Sequence, residues 1–241
     1  MIRTLYISIW VVLATLVLGL TVMVLSYFVK SGDILHKIAR FWGRSILVVS
    51  RIKVTVEGLS RIDPQHPYIY MPNHQSNFDI PVLLGHLTVQ FRWLAKKELF
   101  KIPIFGHAMR KAGYISIDRQ NRQSAFESLE VAADKIRNGI SVLIFPEGTR
   151  SRDGKIRPFK KGGFVTAINA GVPIVPIIIN GTRAIMTKGK FRVNPGQIHM
   201  SIQEPIDTTA YCLDNKEALM ECVRRVICDN FESSGVDEKP C

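Results

Sequence analysis

Asn73-His74-Gln75-Ser76-Asn77-Phe78-Asp79 places a histidine and a carboxylate five positions apart. Downstream, Phe145-Pro146-Glu147-Gly148-Thr149-Arg150-Ser151 places an arginine beside a glycine and a threonine. A neutral imidazole accepts a proton near pH 7, and a carboxylate on its other ring nitrogen fixes the tautomer. The first run therefore holds the parts of an oriented general base. Guanidinium grips phosphate oxygens in two-pronged fashion, and glycine lets backbone N–H groups approach an anion, so the second run holds the parts of an anion cradle. Base and cradle together suit deprotonation of a hydroxyl on a phosphorylated substrate. Each run alone has a plainer reading: a surface histidine in an Asn-rich turn, and an Asp79 that caps a helix. His36, His66, His86, His107 and His199 stand in no comparable setting.

The elements around these runs place both in loops. Residues 68–71 form a short apolar strand closed by Pro72, and Asp79-Ile80-Pro81 reads as a helix start. Within one helix, His74 and Asp79 would lie about 140° apart, whereas a strand-to-helix turn can fold them together. Residues 140–145 form a buried strand that ends directly at the Glu-Gly-Thr-Arg loop. Further strands are expected at 52–56 and 172–179, and helices at 124–138 and 162–170, the latter two stopped by Gly139 and Gly171. The alternation argues an α/β fold with a mostly parallel central sheet flanked by helices, its sites just past the strand ends.

An amino-terminal appendage precedes this domain. Residues 5–29 carry no charge and, as a helix, reach ~37 Å, enough to cross a bilayer with some tilt or to enter it as half of a hairpin. The run is too long for a signal peptide and no small-residue cleavage site follows it, so it reads as a retained anchor. Residues 34–52 put Ile34, Leu35, Ile38, Phe41, Trp42, Ile46, Val48, Val49 and Ile52 on one helical face. His36, Lys37, Arg40, Arg44 and Arg51 lie opposite, with Leu47 intruding, the pattern of a basic helix in a lipid interface or of a surface helix packed on the domain. The expected division is an anchor and amphipathic helix at 1–52, a catalytic domain at 53–231 and a disordered tail at 232–241.

Formal net charge is +12, with six basic residues against one acidic in 150–161 and nine acidic against four basic from 203 onward. A basic front suits an anionic partner. Nucleic acid is excluded by the lack of a helix-turn-helix, zinc-finger spacing or aromatic-interleaved basic strip, which leaves anionic membrane lipids. Cations crowd the carboxyl side of the anchor, so the domain is expected on the cytoplasmic face of the cell inner membrane. Cys212, Cys222, Cys228 and Cys241 form no metal-ligand spacing, and reduced thiols are expected.

The ordered set Asn73-His74-x4-Asp79, Gly113–Arg119, Phe145–Ser151 and Val172–Pro176 resembles the glycerolipid acyltransferases. Within them it is most similar to the bacterial 1-acylglycerol-3-phosphate (lysophosphatidate) acyltransferases, over about residues 54–206. The resemblance implies transfer of an acyl group from acyl-CoA or acyl carrier protein, as co-substrate, to the sn-2 hydroxyl of lysophosphatidate, with no metal or bound cofactor. Glycerol-3-phosphate or another lysophospholipid is the alternative acceptor. A non-catalytic lipid-binding protein is the alternative class, and it leaves the pair unused.

The resemblance also decides Asp79 for the dyad and implies direct transfer in a ternary complex, with Ser76 a turn-stabilising hydroxyl. His74 and Asp79 are then catalytic, and Arg119, Gly148, Thr149 and Arg150 hold the phosphate. Glu147 either orients Arg150 or accepts from a substrate hydroxyl. Lys97 either adds charge to the site or is a solvated lysine. Residues 172–176 are structural by composition, and the resemblance sets them on the acyl-donor side.

Overall fold

The computed structural model describes residues 1–231; the tail expected at 232–241 lies outside them. Seven strands form one sheet in the order β1-β7-β6-β2-β5-β3-β4. They are β1 (Ile52–Glu57), β2 (Ile69–Pro72), β3 (Arg92–Lys96), β4 (Ile115–Ile117), β5 (Val142–Leu143), β6 (Ile174–Asn180) and β7 (Gly196–Ile202). Every neighbouring pair is parallel except β6 and β7.

Alternation along the central strands builds two cores. Tyr70, Val175, Ile177 and Ile179 point to one, with Val82, Leu83 and Leu84 of α3 (Asp79–His86). Ile69, Met71, Ile174 and Ile178 point to the other. That second face is covered by α5 (Arg122–Arg137), α6 (Gly162–Ala170) and α8 (Lys216–Asn230). All seven residues of β6 are buried, the signature of a strand covered on both faces.

The strand expected at 140–145 pairs only at Val142–Leu143, although Ile144 N–H still donates to Tyr70 O at 3.0 Å. β3, β4 and β7 were not expected. β4 is three residues long, and β7 alternates buried residues with mostly half-buried ones, with Gly, Gln, His and Ser among them, so neither has a dense β-branched run. The remaining helices, α4 (Phe105–Lys111) and the short α7 (Thr182–Ile185), frame the site. Cys212 and Cys222 are free thiols.

The amino terminus is a helical hairpin. α1 (Ile2–Phe28) turns at Lys30–Ser31 into α2 (Gly32–Val49), and Ser31 caps α2 by accepting from Asp33 N–H. Trp10 Nε1 donates to Ser45 Oγ at 3.2 Å and Trp42 Nε1 to Thr15 Oγ1 at 2.9 Å, while Arg3 donates to Ser50 O.

α2 turns most of its apolar stripe inward, with Leu35, Ile38, Trp42, Ile46 and Val49 packed in the cores, but the face it buries is wider than that stripe. His36 and Leu47, expected on the basic face, are buried, and Arg40 and Arg44 donate to Thr88 O and Gly85 O at the end of α3. Gly85 O is in the last turn of α3, the unpaired, partly negative end of a helix, so a cation belongs there. Gly43 permits the approach, because a Cβ would lie 3.0 Å from Pro81 O. Ile34, Phe41 and Val48 are left pointing outward, beside the exposed apolar side chains of α1.

Candidate active site

β2 delivers His74 to the carboxyl end of the sheet and α3 returns Asp79 to it. His74 Nδ1 lies 2.8 Å from Asp79 Oδ2, and the same oxygen accepts Gln75 N–H at 2.8 Å and Ser76 N–H at 2.9 Å. An oxygen that already accepts two backbone N–H groups holds a carboxylate, so Nδ1 must be the donor, and Nε2 keeps the lone pair. Asp79 thus reaches back into the loop instead of capping its own helix. The ring stacks on Phe145 with centroids 3.8 Å apart and planes 15° apart, which locks its orientation. Ser76 is fully buried and donates to Met186 O at 2.7 Å, a turn-stabilising hydroxyl.

The second loop holds the first by its backbone. Glu147 Oε1 accepts His74 N–H at 2.6 Å, Glu147 Oε2 accepts Arg157 N–H at 3.0 Å, and Ser151 N–H donates to His74 O at 2.9 Å. Glu147 is 1 % exposed. Burial pushes its carboxyl up to about 7, against the two N–H groups that favour the charged form and with Asp79 nearby adding to the rise. Both oxygens are occupied by backbone, so Glu147 neither orients Arg150 nor faces a substrate hydroxyl: it is a bracket between the two loops.

Arg119, Gly148, Thr149 and Arg150 come together with His74 around one cavity of ≈ 580 Å³. Gly148 takes a positive φ of 68°, the conformation its lack of a Cβ allows. Arg119 donates to Gly148 O, so part of its fork is spent on the loop. Arg150's guanidinium makes no hydrogen bond or ion pair among the described residues. Lys97 is turned away, ion-paired with Asp118, and does not line the cavity. Lys96 lines it instead. Much of the rest of its lining is apolar, including Leu18, Gly19 and Val22 of α1, Ile38 and Trp42 of α2, and Met109 of α4.

Residues 53–180 match the Acyltransferase family. The chain belongs to that family. It is 38% identical over 173 residues to a chloroplastic 1-acyl-sn-glycerol-3-phosphate acyltransferase of Brassica napus, covering 71% of the chain and 50% of that protein. It thus spans half the length of that relative. It is 33% identical to the human alpha 1-acyl-sn-glycerol-3-phosphate acyltransferase, covering 83% of the chain and 71% of that protein. The crystal structure of the 1-acyl-sn-glycerophosphate (LPA) acyltransferase from Thermotoga maritima superposes with a TM-score of 0.81 at 30% identity, covering 94% of this chain and 92% of that one.

Three residues of the site were given no role from sequence. Asn73 pairs both ways with Ile179, donating to its O at 3.1 Å and accepting its N–H at 2.7 Å, and so extends the β2–β6 ladder to the base. Lys188 donates to Arg150 O at 2.6 Å and Thr149 Oγ1 at 3.3 Å from the loop after α7. Burial, then Arg152, Arg150 and Arg157, lower its affinity for a proton. Lys96 is the third. An amide directly after a buried strand signals Asn73; no local pattern marks Lys188.

Proposed function

We propose that this acyltransferase moves a fatty acyl group from a thioester, acyl-CoA or acyl carrier protein, to the sn-2 hydroxyl of 1-acylglycerol-3-phosphate, giving phosphatidate. His74 Nε2 takes the hydroxyl proton as that oxygen attacks the thioester carbonyl. The tetrahedral intermediate collapses with loss of the thiolate, and the imidazolium returns the proton to sulfur. Asp79 holds the imidazolium as it forms. Arg150, with Gly148 and Thr149, meets the acceptor's phosphate, and Arg119 and Lys188 shape that loop from either side.

The observation that carries this reading is the single cavity. Part of its lining is a base and a cationic loop, and much of the rest is apolar side chains suited to an acyl chain. The names of the relatives point to the same acceptor. The α1–α2 hairpin, with Leu5, Ile9, Leu13, Val17, Phe41 and Val48 exposed, would seat the enzyme in the cytoplasmic leaflet, where its lipid acceptor resides.

A matrix of donors and acceptors tests it: acyl-CoA and acyl carrier protein thioester against lysophosphatidate, glycerol-3-phosphate and a phosphate-free monoacylglycerol. The highest kcat/KM is expected with lysophosphatidate. A preference for glycerol-3-phosphate, or no transfer at all, overturns the assignment.

A further inference from the structure

The segment at 186–195, between α7 and β7, carries the most exposed large apolar side chain of the described residues outside Met1 and Ile2. Phe191 is 86 % exposed, with Lys190 and Arg192 exposed on either side. Both shoulders of the segment are tied down. On the side of the site, Met186 O accepts from Ser76 Oγ, and Lys188 is bonded to Thr149 and Arg150. On the other side, Val193 N–H donates to Thr4 Oγ1 of α1 at 3.2 Å, and Asn194 N–H donates to Ile185 O at 2.9 Å. Val193 shares a buried core with Ile7 of α1. The tip is therefore a braced projection that displays an aromatic ring between two cations.

Its position gives the display a purpose. Thr4 and Val193 set the segment beside the first turns of α1, where Ile2, Leu5, Tyr6 and Ile9 are also exposed. We propose that residues 189–192 are a membrane-docking tip. Phe191 enters the headgroup–acyl boundary, and Lys190 and Arg192 meet the phosphates of anionic phospholipids. Aromatic rings favour that boundary, and each cation near an anionic surface adds attraction that falls away within a Debye length. A hairpin alone gives the enzyme a line of contact about which it can roll. A tip off that line supplies a third point, and its link through Lys188 sets the Thr149–Arg150 loop at the depth of lipid phosphates. This extends the reading of the hairpin as the lipid-facing side and of the loop as a phosphate site.

Photocrosslinking of the full chain tests it. Phe191→p-benzoyl-phenylalanine is reconstituted in nanodiscs of phosphatidylcholine with phosphatidylglycerol, irradiated, and analysed by intact mass. Leu213→p-benzoyl-phenylalanine is the control. Leu213 is 47 % exposed and follows the segment that pairs with the start of β6, at the sheet end away from the site. A phospholipid-mass adduct is expected at 191 and not at 213. Paired Lys190→Gln and Arg192→Gln changes should lower its yield roughly fivefold per charge removed, in phosphatidylglycerol discs only. No lipid adduct at 191, an adduct only within the protein, or equal labelling at 213 overturns the docking tip. The measurement does not depend on turnover. Lipid labelling at 191 by an enzyme that transfers no acyl group to lysophosphatidate upholds the tip and rejects the substrate.

Discussion

The base loop and the anion loop lie against each other yet rest on opposite electrostatic plans. Around His74 the groups that fix the ring are paired within the protein: Nδ1, both main-chain groups and one carboxylate oxygen of Asp79 all have protein partners, whereas Asp79 Oδ1 and the buried Gln75 amide do not. Around Arg150 positive charge accumulates from Arg152, Arg157 and Lys188. Glu147 is held toward its neutral form, and Asp153 is occupied by Ser151 Oγ and Lys155 N–H. A base needs geometry, and internal hydrogen bonds provide it before substrate arrives. A phosphate site needs charge left unneutralised, which the ligand completes. The two loops therefore should fail differently when altered.

The largest effect belongs to the matched side. His74→Ala should lower turnover ~10²–10⁴-fold, the usual worth of a general base, with little change in substrate affinity. Asp79→Asn should approach that loss, because an amide that donates to Nδ1 stabilises the wrong tautomer. Acyl transfer to labelled lysophosphatidate in detergent measures both. Near-normal turnover in either variant would sink the dyad.

The unneutralised side should show its failure in KM. Arg150→Lys removes the planar fork, and a charge-assisted bond is worth roughly 1.5–3 kcal/mol, so acceptor recognition should weaken about ten- to a hundredfold while acyl-CoA titrations stay unchanged. The loss should vanish for a phosphate-free acceptor. Arg119→Lys is expected to be milder and less selective, since Arg119 also braces Gly148. Equal weakening toward donor and acceptor in Arg150→Lys would make Arg150 structural.

Glu147 joins the two plans, and its signature is in stability. The folded carboxyl binds its proton up to about pH 7, well above the ordinary value of 4.5. Between these limits the folded state holds more protons than the unfolded state, so this contribution is complete below about pH 4.5 and fades as pH rises toward 7. Glu147→Gln removes that dependence. Melting temperatures from pH 5 to 8 should show the wild-type advantage over Glu147→Gln shrinking as pH rises; a constant or growing gap would rule out the raised carboxyl.

The parts of this architecture that were legible from sequence are those written in local runs. Tyr68–Met71, Val172–Ile179 and the Gly-stopped helices show their periods, and the His74–Asp79 turn follows from a five-residue spacing that a helix cannot close. What escaped depends on partners distant in the chain. Glu147 looks like an ion-pairing residue until β2 and β5 are set side by side, bringing it under His74 N–H. Lys188 reaches the anion loop across 38 positions. The outward turn of Ile34, Phe41 and Val48 on α2 was hidden because the helix spends its arginines on the end of α3, a choice made by α3's free carbonyls and not by the helix itself.

The smallest expected effect separates two adjacent lysines. Both stand in Ala95-Lys96-Lys97-Glu98, and charge alone favours neither. β3 ends at Lys96, which lines the cavity, and a 3-10 turn begins at Lys97 and carries that side chain away. Lys96 lines the cavity and pairs with Glu98 at 3.1 Å while its side chain stays 53 % exposed, which leaves it free to swing to an anion. Lys97 is committed to Asp118, which draws that carboxyl below and the lysine above their ordinary ranges. Lys96→Gln should therefore raise the acceptor KM by a few fold in low salt, an effect that added salt erases because a partly exposed charge is screened. Lys97→Gln should leave KM alone and cost little stability, because water screens the pair it breaks. Urea unfolding and acceptor titrations at two salt concentrations distinguish them. A KM change in Lys97→Gln larger than that in Lys96→Gln would return Lys97 to the site.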